Sequence, residues 1–128
     1  MSQLSDYLEN ALINAVLRNT PYTSPATVYV GLFTSDPTDA GTGTEVSGGA
    51  YARQAVTFTA PTDGQTSNSA DVLFPIATAA WGTVTHIGLF DALSGGNLLF
   101  HAPLEFEKTI NISSQFKLPQ NYLIVRLK

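Results

Sequence analysis

A chain of 128 residues and 13.6 kDa is long enough for one domain with its own core, read as a helical segment at 1–20 and a β-sandwich at 27–128. Hydrophobic residues make up 44% and charged residues 12%, which excludes a disordered chain and suits a surface that becomes covered. A net charge of −4 with six scattered Lys and Arg leaves no basic patch for nucleic acid, and the lack of Cys excludes disulfides, thiolate zinc sites and a Cys nucleophile.

Residues 4–18, LSDYLENALINAVLR, carry the period of a helix. Ser5 or Ser2 is its cap, Asp6 and Glu9 lie in its first turns, Arg18 in its last, and Asn19, Thr20 and Pro21 stop it. Leu4, Leu8, Ala11, Leu12, Ala15 and Val16 share one side, which is expected to dock on a sheet. Ile13 and Leu17 sit opposite that side and are the candidate subunit contact, with cover by a loop of the same chain as the alternative. The apolar runs are far shorter than the roughly 20 residues of a membrane helix, so no membrane partner is expected. The acids inside the first apolar segment, with no basic residues before it, argue against a leader peptide.

From residue 27 onward the pattern is that of an antiparallel β-sandwich, Ig-like or jelly-roll-like, behind one N-terminal helix. Strands are expected near 27–33, 51–60, 71–74, 83–90, 97–101, 104–112 and 121–128, separated by Gly, Pro, Asp and Ser. Fifteen Thr suit half-exposed pleats. The loop at 34–49, TSDPTDAGTGTEVSGG, is too rich in Gly and Thr to pack internally and is expected to be exposed, with 61–69 as a similar neighbour. Asp36, Asp39 and Glu45 in the first loop are the candidates for outward contact.

The string GLF occurs twice, in VYVGLFTSD at 28–36 and THIGLFDAL at 85–93. In each copy Gly31 or Gly88 stands between large apolar neighbours, and both faces of the strand read as apolar. The two copies are therefore expected to be equivalent central strands, paired or facing, with each glycine marking a bulge or a close approach. Asp36 and Asp91 then begin turns rather than catalysis.

Chemistry-bearing patterns are sparse. His86 and His101 lack the HxH or HxxxH spacing of a metal pair, and the acids at 36–45 miss the EF-hand spacing, which leaves a solvated turn ahead of a calcium loop of another kind. Glu105 and Glu107 alternate onto one side of a strand, where a wet edge is the simpler reading than a glycosidase pair. No GxSxG, Walker or GxGxxG motif occurs, so no catalytic residue and no cofactor is assigned. Trp81, with Tyr51, is the candidate for stacking on a sugar, set against a role stapling the end of the core.

The segments SDYLENALINAVLRNT, YTSPATVYVGLFTSDPTDAGTGTEVSGGAYARQAVTF and SNSADVLFPIATAAWGTVTHIGLFDALSGGNLLFHAPL resemble a family of small tailed-bacteriophage proteins labelled phage tail fibre protein or virion protein. The likeness spans residues 4–104; family members close with a glycine-containing turn before the last strand, where this chain has KLPQN. The resemblance implies a non-enzymatic virion component, assembled in the bacterial cytoplasm and bound to a tail protein or the major capsid protein. Two classes of function follow. One is a structural homo-oligomer, expected to be a trimer, that is tail-associated or decorates the capsid and joins through Ile13 and Leu17. The other is a carbohydrate- or host-receptor-binding module using the loops with Trp81 or Tyr51.

Overall fold

The β-branched and aromatic segments of this sequence pair as antiparallel strands, and the turn residues between them set where each strand ends. The computed structural model describes residues 3–127. In chain order the elements are β1 (Gln3–Leu4), α1 (Asp6–Leu17), β2 (Val28–Phe33), β3 (Gln54–Val56), β4 (Gln65–Ser67), β5 (Val72–Leu73), β6 (Gly82–Phe90), β7 (Leu98–Ile110), β8 (Lys117–Leu118) and β9 (Ile124–Arg126).

The larger sheet has the order β1-β7-β6-β2-β3, and two ribbons, β4 with β9 and β5 with β8, are separate from it. All of these pairings are antiparallel. The arrangement is sandwich-like: Val30 and Leu32 of β2 and Val84, Ile87 and Leu89 of β6 join one core cluster with Val72 and Leu118 of one ribbon and Val125 of the other. Phe74, Trp81 and Phe116 fill the same core. Each large aliphatic or aromatic side chain buried this way contributes roughly 1.5–3 kcal/mol.

The helix differs from its expected form at its start and along its docking side. Gln3 and Leu4 pair with His101 and Phe100 of β7, so Leu4 belongs to a strand and the helix starts two residues later. Ser5 is the cap: its backbone is extended, and its Oγ accepts from the Leu8 N–H at 3.2 Å. Ser2, the other cap considered, lies outside the described residues, as does Lys128 at the end of the last expected strand. The expected docking side is corrected too. Only Leu8 of α1 is buried, Ala11, Leu12 and Ala15 are half-buried, and Val16 faces solvent.

The strands expected at 97–101 and 104–112 are one long β7 interrupted by a bulge, because Val84 pairs with Lys108 while His86 pairs with Pro103. Glu105, Phe106 and Glu107 stand in that bulge, exposed. The segment 61–69, read as a loop, contains β4, whose partner β9 is far away in sequence. Near KLPQN, Asn121 takes a φ of +68°, the left-handed conformation that a glycine would supply in the turn before β9.

Candidate functional site

The two GLF strings lie side by side. Gly31 of β2 pairs with Gly88 of β6, Val30 with Leu89 and Leu32 with Ile87. On the core face the pairs are aliphatic; on the back face the two missing side chains leave a shallow floor. Over it the Phe33 and Phe90 rings stack with centroids 5.9 Å apart and planes 11° from parallel, and Leu98 completes a small second cluster. A Cβ on Gly88 would come within 2.8 Å of Leu98 Cδ1 and 2.9 Å of Phe33 Cε1, so the close approach read from the sequence is a side-chain one.

Beside this floor sits a polar network. Arg53 Nε and Nη2 each donate at 2.9 Å to a separate oxygen of Glu45, and Nη1 donates to the carbonyls of Ala92 at 2.9 Å and Gly95 at 2.8 Å. The guanidinium also lies over Phe90, with Cζ 3.5 Å from the ring centroid. The Tyr51 hydroxyl donates to Glu45 and accepts from the Leu32 N–H at 3.0 Å. Burial, and next the bond to Glu45, push the Tyr51 phenol above its ordinary pKa, so it stays a neutral donor at physiological pH. Arg53 thus ties the loop at 34–49 to the turn at 91–97, and Asp91 closes that turn by accepting from the Asn97 N–H at 2.7 Å.

The loop at 34–49 is folded back on the domain more than its composition suggested. Phe33 bridges to Glu45, the Val46 N–H donates to the Leu32 carbonyl at 2.9 Å, and Pro37 and Val46 are buried. Its tip meets the helix start: the Asp6 N–H donates to the Asp39 carbonyl at 2.8 Å, and Asp39 Oδ1 lies 2.8 Å from Nε2 of the buried His101. Asp36 stands 3.8 Å from the other His101 nitrogen and also accepts from the Thr38 N–H. A cleft of about 510 Å³ lies between these parts, lined by Asp6, Tyr7, Asp39, Glu45, Arg53 and Asn97 among others. The carboxylates of Asp6, Glu9 and Asp39 come within 4.8 Å of one another, a hard-oxygen set of the kind that suits calcium or magnesium.

The residues named from the sequence therefore fall into three places. Asp36 and Asp39 reach the rim around His101, whereas Glu45 turns inward to Arg53. Trp81 is 5% exposed; its Nε1–H donates to the Gly49 carbonyl at 2.8 Å, and its ring meets Tyr51 edge-on at 5.4 Å. Both aromatic rings thus hold the base of the loop. Ile13 and Leu17 stay on the helix, 53% and 76% exposed, and Val16 joins them at 76%. Arg53 was missed, although a lone cation two residues after Tyr51 in so weakly charged a chain is a usable signal for a buried ion pair.

Residues 3–126 match the family model described as Gp80: Podophage GP4 fiber I protein gp80. No curated protein matches the chain.

Proposed function

The chain belongs to that phage fibre family and is a structural component of the virion; from this premise we propose that it is a small non-enzymatic homo-oligomer held together through α1. The observation that carries the reading is the uncovered apolar helix: Ile13, Val16 and Leu17 face solvent together, three and four residues apart on one side of α1. A fibre subunit that attaches to a larger body has a use for such a face, and a trimer is the symmetric form proposed. The family description favours attachment through the tail over decoration of the capsid. Assembly takes place in the host cytoplasm before attachment.

Size-exclusion chromatography with light scattering tests this. The expected result is an oligomer that Leu17→Asp or Ile13→Asp converts to a folded monomer. A wild-type chain that is monomeric at every accessible concentration would defeat the proposal.

A receptor-binding role is the second reading, supported by the cleft that the loop at 34–49 and the helix start enclose. Asp36 and Asp39 on its rim are the proposed contacts, and Trp81 and Tyr51 act by holding the loop rather than by stacking on a sugar. Adsorption of phage to its host in the presence of purified protein tests it. Competition lost on Asp39→Ala supports receptor contact, and absence of competition by the oligomer counts against it.

A further inference from the structure

The open side of β7 carries a cleft of mixed character. Among the described residues β1 meets β7 at Phe100 and His101, and past them a hollow of about 560 Å³ opens between β7 and the segment leading into β9. It shares no residue with the cleft around Asp39. Buried Ile87, Ala102 and Leu123 line its depth, Leu104 and Glu105 come from β7, and Asn121 and Tyr122 come from the turn before β9.

Both walls are held in place. The fully buried Asn68 donates through Nδ2 to the carbonyls of Ala70 and Pro119, each at 2.8 Å, while its Oδ1 accepts from the Leu123 N–H at 2.8 Å. Its backbone carbonyl accepts from the Asn121 N–H at 3.0 Å, so this one side chain and its peptide fix the turn that presents Asn121 and Tyr122. Asn121 holds its left-handed φ of +68°, a conformation that costs a residue with a side chain and gathers at functional sites. On the opposite wall the bulge takes Leu104 and Glu105 off the regular ladder. The Glu105 N–H donates to the Tyr122 hydroxyl at 3.3 Å, which pins the half-exposed ring across the gap.

We infer that this cleft binds one ring of a neutral saccharide. A sugar ring has a carbon face and a rim of hydroxyls, and the cleft supplies a partner for each. Tyr122, Leu104 and Ile124 give carbon surface, and Tyr122 is an aromatic ring whose hydroxyl is already satisfied. Glu105 brings a carboxylate that accepts from hydroxyls, and the Asn121 NH2, whose Oδ1 already accepts from Ser67 at 3.2 Å, donates to them. The lining holds one acid, Glu105, and one base, Arg126, so it favours neither an anion nor a cation. A wholly apolar ligand would strip water from both charges without replacing it. A peptide strand is disfavoured as well: Pro103 has no N–H and that of Glu105 is taken by Tyr122, so this stretch of β7 offers few donors for strand addition.

NMR titration of isotope-labelled protein with the methyl glycosides of glucose, galactose, mannose and N-acetylglucosamine, each to about 50 mM, tests the site, since a single ring is expected to bind with a dissociation constant of roughly 1–10 mM. The expected result is a saturable shift of the amides at 102–105 and 121–124 with at least one glycoside. Glu105→Ala, an exposed position, and Tyr122→Ala are each expected to weaken that glycoside at least about tenfold, while Tyr122→Phe keeps most of the affinity because the ring remains. If none of the four glycosides moves these amides, the inference is overturned. An equal response there to inorganic phosphate or to methylamine would make it an ion site and overturn it too. Shifts confined to Tyr7, Asp39 and Asn97 would put the sugar in the other cleft, sinking this site and supporting the second functional reading. Binding unchanged in both Glu105→Ala and Tyr122→Ala would remove the recognition proposed. None of these readouts depends on the oligomeric state, so the site and the subunit contact through α1 stand or fall separately.

Discussion

The back of the β2–β6 pair and the outer side of α1 are both apolar in sequence, and only the first is closed within the chain. Behind β2 and β6 the paired glycines make room for Phe33 and Phe90, Leu98 fills the edge, and the polar groups of Arg53, Glu45 and Tyr51 satisfy one another. Along α1 only Leu8 is buried, and among the described residues the helix meets β7 and β1 of the other elements, with Asp39 of the 34–49 loop at its start. A cluster that satisfies its own contacts contributes to the stability of one chain. An apolar side without cover contributes almost nothing until a second surface arrives, which is why the helix, and not the more elaborate network, is the place to look for assembly.

Substitutions can break this contrast, beginning with the glycine floor. Gly88→Val places carbon against Leu98 and Phe33 in the middle of the central strand pair, and is expected to cost about 3 kcal/mol, roughly 10 °C in Tm by calorimetry. Gly31→Val follows closely, because the Glu45 oxygen 2.7 Å from the new Cβ is pinned by Tyr51 and Arg53. A Gly31→Val chain that melts like the wild type would show that the floor can give way. Arg53→Met removes one partner of a largely buried pair and is expected to cost about 3 kcal/mol in urea unfolding, while also loosening the turn at 91–97 in hydrogen exchange. Ser5→Ala takes away the helix cap and is expected to cost about 1 kcal/mol, with exchange quickened in α1 and unchanged in β6. The smallest effect is at Leu17: Leu17→Ser, measured at dilutions where the chain is monomeric, is expected to stay within about 0.5 kcal/mol. A larger loss there would mean that the helix already packs on its own chain, and the contrast would fail.

Much of the β architecture is legible along the chain because it depends on local alternation. The two GLF strings read as central strands from their apolar faces alone, and β2 and β6 occupy those places. The start of the helix was less legible. Leu4 has the helical spacing, but pairing with Phe100, a residue far along the chain, draws it into a strand. Val16 likewise follows the period of the docking side and yet faces solvent, since a helix period says which residues share a side and not whether anything lies against them.

The site divides in the same way. Asp36 and Asp91 as turn formers follow from their own short-range hydrogen bonds, within reach of a sequence argument. The pairing of Glu45 with Arg53, the capture of the 91–97 turn by that same guanidinium, and the meeting of Asp39 with His101 join segments whose register only the folded sheet sets. Periodicity and turn chemistry are properties of neighbours in the chain, so composition and spacing established a β-rich chain with two central GLF strands. Gly31 opposite Gly88, the inward turn of Glu45 and the uncovered helix ridge are decided by long-range pairing, where one register brings remote residues together and excludes the rest.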